Sequence, residues 1–326
     1  MPILLSEQDV RAVLSMDDLI AAMEQALAQY STGAARQPLR NVFEVGAHHA
    51  FHGVMPAFIE EPASLGTKIV TVYGSNPARG LPTHLATIVL LDPATGALRA
   101  VMDGRYITEA RTAAASAASA RHLARRDARV LAVIGSGVQA HSHIEAIVRV
   151  RPIEEVRVWG RTAANVERLV AELAPQIPAT LAAARTIEDA VRDADVIALV
   201  TASRDPVLRR EWVRRGAHIC AVGACRPDQR EMDTALVRDA RVFVDSRIGA
   251  LAEAGDIVIP LSEGAITDQH IAAELGQVIA GTAEGRPSAD AITIFKSLGM
   301  AVEDVAAARL AWERAGARGI GREFEL

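Results

Sequence analysis

The sequence predicts an α/β protein whose larger part is a doubly wound parallel sheet, and three observations predict it. Residues 130–134 (Val-Leu-Ala-Val-Ile) form an apolar run that breaks at Gly135, Gly137 and Ala140. A helical pattern carried by His143, Ile144, Ile147 and Val148 follows at once, so the stretch reads strand, tight turn, helix. A second strand is expected at 156–159 (Val-Arg-Val-Trp), at the spacing of about 20 residues found in a dinucleotide-binding βαβ unit. Beyond it, helical patterns at 163–173 and 187–192 alternate with strand-like runs at 196–201, 217–222 and 241–245. Such alternation builds a parallel sheet whose ligands collect at the carboxyl ends of the strands. Three segments leave such ends: Gly135 to Val138, Thr201-Ala-Ser203 and Gly223-Ala-Cys225.

The chain of 326 residues is long enough for two domains. Residues 6–31 read as helices: Ser6 and Ser15 can cap, acids follow in the first turns, and Leu19, Met23, Ala26, Leu27 and Tyr30 share a face. From 37 to 92 the pattern changes to short β-like runs at 42–45, 69–73 and 86–91, broken by Gly and Pro. Their uneven spacing predicts a half-barrel or open sheet with an edge to cover, and a second subunit is the usual cover. An alanine-rich helix at 108–126 bridges this region to the first parallel strand, and a last helix at 302–314 returns to the first domain.

Lys plus Arg number 35 against 40 for Asp plus Glu, giving a net charge of −5, and only 4% of residues are aromatic. A nucleic-acid surface wants a basic face with stacking rings, so that class is excluded. The N-terminus turns polar at Ser6 without a basic leader, and no apolar run approaches the ~18 residues of a membrane span. Two cysteines, Cys220 and Cys225, are too few for a disulfide framework or a metal cage. A cytoplasmic protein is expected.

A glycine turn of this kind presents backbone N–H groups at the positive end of a helix dipole, and its small residues let a pyrophosphate approach the main chain. Gly135, Gly137, Val138 and Gln139 are expected to contact a dinucleotide, with Thr201, Ser203 and Gly223 contributing from neighbouring strand ends. Alone, a G-x-G-x-x-A turn also fits plain strand-to-helix packing; the second strand at the right spacing favours the cofactor. The tip of that strand reads Gly160-Arg161-Thr162. A fold that prefers NAD places Asp or Glu there to accept from the ribose 2′-hydroxyl. Here Arg161 can pair with phosphate oxygens and Thr162 can donate, so NADPH (NADP) is expected over NADH (NAD). The alternative is a solvated turn arginine ahead of a helix capped by Thr162.

Charges in apolar company point to a second site. Lys68 sits in Leu65-Gly-Thr-Lys-Ile-Val-Thr-Val72, where a cation costs free energy unless an anion meets it. It could ligate a substrate carboxylate or, desolvated, transfer a proton; the alternative is an edge-strand lysine guarding against aggregation. Arg111 leaves a run of small residues, and Arg40 enters the β region, so two guanidinium forks could clamp one carboxylate. His84, with Thr83 before it, precedes a strand. His48, His49 and His52 lack a partner Cys or carboxylate set, and no metal is expected. Cys225 would line the cleft, and Cys220 reads as core.

Together these residues resemble the ornithine cyclodeaminase and mu-crystallin family over residues 37 to about 308. The blocks that carry the likeness are Gly80-Leu-Pro-Thr-His84, Ile107-Thr-Glu-Ala-Arg-Thr-Ala113, Val133-Ile-Gly-Ser-Gly-Val-Gln-Ala140, Ala273-Glu-Leu-Gly276 and Phe295-Lys-Ser-Leu-Gly-Met-Ala-Val-Glu-Asp304. The resemblance implies a Rossmann-type domain (115–301) inserted into a discontinuous β-rich α+β domain (1–114 and 302–326) that binds substrate and dimerises. It also implies that Arg40, Lys68 and Arg111 hold the substrate carboxylate and the reacting nitrogen. Cyclodeaminases and the related alanine dehydrogenases carry a catalytic aspartate where this chain has Cys225, and Asp228 lies three residues too far on to match it. The likeness is greatest to the mu-crystallin branch, which reduces cyclic ketimines with NADPH.

The expectation is an NADPH-dependent reductase of cyclic α-imino acids, taking Δ1-pyrroline-2-carboxylate or Δ1-piperideine-2-carboxylate to proline or pipecolate as a homodimer. Lys68 and Arg111 would be catalytic, Arg40 and Cys225 would join them around the substrate, and Thr83 and His84 would border the nicotinamide. The alternatives are an ornithine cyclodeaminase with bound NAD, an alanine-dehydrogenase-like enzyme, and a non-catalytic ligand-binding protein, since mu-crystallin relatives also bind thyroid hormone.

Overall fold

Two sheets organise the chain, each in its own unit of a computed structural model that describes residues 1–325. One unit comprises residues 1–111 and the C-terminal segment beginning at Met300; the other runs from Thr112 to Gly299. The chain passes between them within the helix Arg105–Leu123.

The first unit holds β1 (Ile3–Leu5), β2 (Ala35–Arg36), β3 (Asn41–Glu44), β4 (Phe51–Ile59), β5 (Ser64–Val72), β6 (His84–Leu91) and β7 (Leu98–Asp103). The order is Arg322–Glu323, β1, β7, β6, β5, β4, β2, with β3 also on β4: an open sheet. Among the described residues of this sheet only β1 and β7 run parallel. Ser6 caps its helix by a reciprocal bond with Asp9, and Ser15 accepts from the Asp18 N–H. Helix Met16–Thr32 buries Leu19, Met23, Ala26 and Leu27, as the periodicity predicts, while Tyr30 stays partly exposed. It packs with the C-terminal helix Ala301–Arg318, which lies on β4, β5 and β6. The approach is close: a Cβ on Gly66 would stand 2.8 Å from the Val89 carbonyl oxygen and 3.3 Å from Val305 Cγ2.

The second unit holds β8 (Val130–Ile134), β9 (Glu155–Trp159), β10 (Thr180–Ala183), β11 (Val196–Leu199), β12 (His218–Ala221), β13 (Arg241–Val244), β14 (Ile271–Glu274) and β15 (Thr293–Lys296). All pair in parallel, in the order β10-β9-β8-β11-β12-β15-β13-β14. β11 and β12 are buried throughout, which is why both read as unbroken apolar runs. The order reverses at β8 and β11, the point where such sheets open a crevice for ligands. Sequence patterning does not show β10, β14 or β15. In the first unit it misses β1, β2, β4 and β7 and sees β5 only from residue 69, although the strand begins at Ser64. Among the described residues no helix is long and apolar enough to cross a membrane.

The bridging helix is tied into the second unit by buried histidines. His143 Nδ1 lies 2.7 Å from the Gln139 carbonyl, which can only accept, so Nε2 must accept from the Ser116 hydroxyl at 2.9 Å. His218 is fully buried between Thr293 and Ser119. Burial pushes the His143 pKa down to about 4 and holds that of His218 well below the usual histidine range. A base depressed in the fold destabilises it as pH falls below the unfolded value, because the unfolded chain takes up the proton first. Between about pH 7 and pH 5 the stability difference between wild type and His143→Gln should therefore move by about 2 kcal/mol in favour of the variant. Urea unfolding at the two pH values measures it. A constant difference would contradict a neutral buried imidazole.

Candidate functional site

The strand, helix and return segment of the first unit bring four charged side chains together. Lys68 is in the middle of β5, flanked by β4 and β6 and 2% exposed, so it is not an edge-strand lysine. Strand alternation puts it on the same face as Ser64 and Gly66, the buried one. Arg111, 4% exposed, comes from the bridging helix. Asp304 and Glu303 lie in the first turn of the C-terminal helix, where the dipole favours acids, and both are fully buried. Asp304 Oδ2 stands 2.6 Å from Lys68 Nζ, while Oδ1 accepts from Arg111 Nε at 2.8 Å. Glu303 Oε2 accepts from Arg111 Nη1 at 2.7 Å. Lys68 also donates to Thr108 Oγ1 at 3.4 Å.

Two cations thus face two anions. Burial pulls the Lys68 pKa down to about 8, with Asp304 opposing and the like charge of Arg111 assisting. Burial alone would raise Asp304, but Arg111 and Lys68 hold its carboxyl below the ordinary carboxylate range. His84, first residue of β6, is driven down to about 4 by burial and by the same two cations, so at neutral pH its ring is uncharged. Thr83 precedes it, exposed, its carbonyl accepting from the Tyr73 N–H at 2.8 Å. Arg40 is half-buried immediately before β3.

Neither Glu303 nor Asp304 is given a role by sequence reasoning. Acids in the first turn of a helix look like ordinary dipole complements, and only the structure shows which cations they meet.

In the second unit a cavity of ≈ 290 Å³ opens at the strand ends, bordered by Gly135, Gly137, Arg161, Thr162, Thr201 and Ser203. Gly135 has φ +134°, and a Cβ there would lie 2.7 Å from Val200 Cγ2 and 2.8 Å from the Val200 carbonyl oxygen, so only glycine makes this turn. Gly137 occupies the N-cap position of helix Val138–Ile147, and a Cβ on it would project into open space. Val138 is exposed and Gln139 half-buried in the first turn. These features fit a dinucleotide: bare backbone at a helix N-terminus, beside a cavity. Thr162 holds the N-cap position of its helix but makes no side-chain cap bond. Its hydroxyl and the exposed Arg161 border the cavity with no carboxylate in the Gly160-Arg161-Thr162 tip.

Gly223 and Cys225 follow β12, and Cys225 Sγ donates to the Val222 carbonyl at 3.2 Å. Cys220 is core, and burial pushes its thiol up to about 12. His48, His49 and His52 surround the β3–β4 connection; among the described residues no cluster of three or more His, Cys, Asp or Glu is placed to hold a metal ion.

Residues 1–319 match the model of the ornithine cyclodeaminase/mu-crystallin family. The mouse ketimine reductase mu-crystallin is 42% identical over 96% of this chain and 97% of its own. The structure of Thermococcus litoralis Δ1-pyrroline-2-carboxylate reductase in complex with NADH and L-proline superposes with a TM-score of 0.96 at 38% identity, covering 99% of this chain and 100% of that one. An archaeal alanine dehydrogenase dimer with bound NAD gives 0.94 at 34% identity, covering 100% and 99%. These matches run over almost the whole chain and share its fold: the chain belongs to the ornithine cyclodeaminase/mu-crystallin family.

Proposed function

We propose that this chain is an imino-acid reductase that uses NADPH in preference to NADH, acting on cyclic α-imino acids such as Δ1-pyrroline-2-carboxylate and Δ1-piperideine-2-carboxylate. The observation that carries the reading is the pair of buried cations, Lys68 and Arg111, held on the two oxygens of Asp304. The names of the relatives support it, since one is a ketimine reductase and another a pyrroline-2-carboxylate reductase.

A nicotinamide held there would supply a hydride to the C=N carbon. Arg111, with Arg40, fixes the substrate carboxylate, which removes rotational freedom from the reacting imine. Lys68 lies in the range where a proton can be lent to the imine nitrogen, so that C=N plus hydride plus proton becomes an amine. His84, being neutral, adds no cation to compete for the carboxylate. Arg161 and Thr162 would hold the 2′-phosphate, and Gly135, Gly137, Val138, Gln139, Thr201, Ser203 and Gly223 would hold the rest of the dinucleotide. Cys225 is a thiol where a cyclodeaminase carries a carboxylate base, which disfavours ammonia release from ornithine.

The first unit is the substrate-binding domain and, we propose, the dimer-forming one. The helices cover one face of its sheet, and the opposite face leaves Val54, Phe58, Leu65, Ile69, Leu85 and Val89 partly exposed. An apolar sheet face of this kind marks a protein contact, and the archaeal alanine dehydrogenase relative is a dimer. A second copy laid on this face would bury it.

Purified protein mixed with either imine should oxidise NADPH faster than NADH. Arg111→Ala should lower kcat/KM about 100-fold or more, and Arg161→Ser should raise the KM for NADPH about tenfold while leaving NADH little changed. Silence on both imines with ammonia released from ornithine would overturn the reductase assignment. Light scattering should return twice the chain mass for wild type and a smaller value for Ile69→Asp/Leu85→Asp; a monomeric wild type would refute the dimer.

A further inference from the structure

The turns that follow β11 and β12 are joined by one buried carboxylate. Glu231, fully buried, lies between β12 and the helix Thr234–Asp239. Its Oε1 accepts from the backbone N–H of Thr201 at 2.7 Å and from the Thr201 hydroxyl at 2.8 Å. Its Oε2 accepts from the backbone N–H groups of Gly223 at 2.7 Å and Ala224 at 3.3 Å. The two turns are in intimate contact, for a Cβ on Gly223 would stand 1.8 Å from the Thr201 carbonyl oxygen and 2.7 Å from Glu231 Oε1. Thr201 borders the cavity at the glycine turn, and its hydroxyl also receives the Ser203 N–H at 3.2 Å.

Glu231 is itself held in place. Its N–H and that of Met232 donate to Asp256 Oδ1 at 2.8 and 3.0 Å, and Asp256 Oδ2 pairs with Lys296 Nζ at 3.1 Å. Lys296 ends β15, so the brace runs from the sheet through Asp256 to the two turns.

Four donors converge on the Glu231 carboxylate, two on each oxygen. Only an ionised carboxylate accepts all four: an amide would turn its own N–H groups towards two donors, and a carboxylic acid would put a hydrogen where one already points. We propose that ionised Glu231 is a positioning residue of the dinucleotide site, clamping the Thr201 turn to the Gly223 turn in the arrangement that nucleotide binding requires. This rests on the reading that the glycine turn binds a dinucleotide, and does not depend on which imine is reduced.

Burial pushes the Glu231 carboxyl up to about 7, Lys296 pulling it down and Asp256 adding to the rise. Asp245 and Cys225 face the same lysine. The clamp is therefore closed above neutrality and takes up a proton as pH falls through about 7. Calorimetric titration of the full-length protein with NAD+ tests this, because NAD+ lacks the ribose phosphate that ionises near pH ~6. Wild-type affinity should be about tenfold weaker at pH ~6 than at pH ~8. Thr201→Val, which removes one donor from the carboxylate, should move the inflection to higher pH, and Glu231→Gln should weaken binding at pH ~8 and abolish the pH dependence. A flat wild-type profile, or an inflection unmoved in Thr201→Val, overturns the clamp; these two profiles decide even if Glu231→Gln does not fold. Binding of neither NAD+ nor NADP+ at any pH would overturn the dinucleotide reading along with it, whereas inactivity on imines with the predicted profile would leave the clamp standing.

Discussion

The fold of the first unit depends on burying two cations against two anions. Taking an ion out of water costs several kcal/mol even after relaxation, and removing one partner of such a set costs about 3–5 kcal/mol because the other is left uncompensated. Asp304 therefore has to reach Lys68 and Arg111 together. That requirement explains why the C-terminal segment comes back to the sheet of the first unit, why its helix begins with two acids, and why Gly66 lets Val305 approach the strand beside Lys68. Well-packed apolar residues would serve stability as well or better. What the cluster provides instead is charge at fixed positions in a dry setting, where attraction for a carboxylate is stronger than in water.

The second unit repeats the logic with one lysine and buried acids. Lys296, Asp256 and Glu231 form a chain of charge from the end of β15 to the turns after β11 and β12. In both units buried charged side chains tie together segments that lie far apart in the sequence. The glycine turn after β8 needs no such help, since its geometry is set by the close contact of Gly135 with Val200.

Much of this was legible in the sequence because it is local. The caps at Ser6 and Ser15, the apolar run into Gly135 and the alternating strands and helices that follow are each decided by a few neighbouring residues. Lys68 was legible as a charge in apolar company, but not its partner, which only tertiary structure brings to it. Strands β10 and β14 escaped because Thr-Leu-Ala-Ala and Ile-Ala-Ala-Glu lack strand patterning, and β15 because it buries a lysine. β4 carries Pro56, which argues against a strand. The structure tolerates it because pairing with β3 ends at Val54 and pairing with β2 begins only at Phe58, so the missing N–H falls in the gap between them. Glu231 gave no signal at all, since nothing local marks a carboxylate whose four donors come from two separate turns.

The central claim is that the cation at Arg111 reads the substrate's carboxylate. The direct measurement compares kcat/KM for Δ1-pyrroline-2-carboxylate with that for 1-pyrroline, which has the same ring and no carboxylate, in wild type and in Arg111→Ala. The account predicts a preference for the carboxylated imine of about 100-fold or more in wild type that largely disappears in the variant. Equal rates on the two imines in wild type, or the same preference in Arg111→Ala, would contradict it.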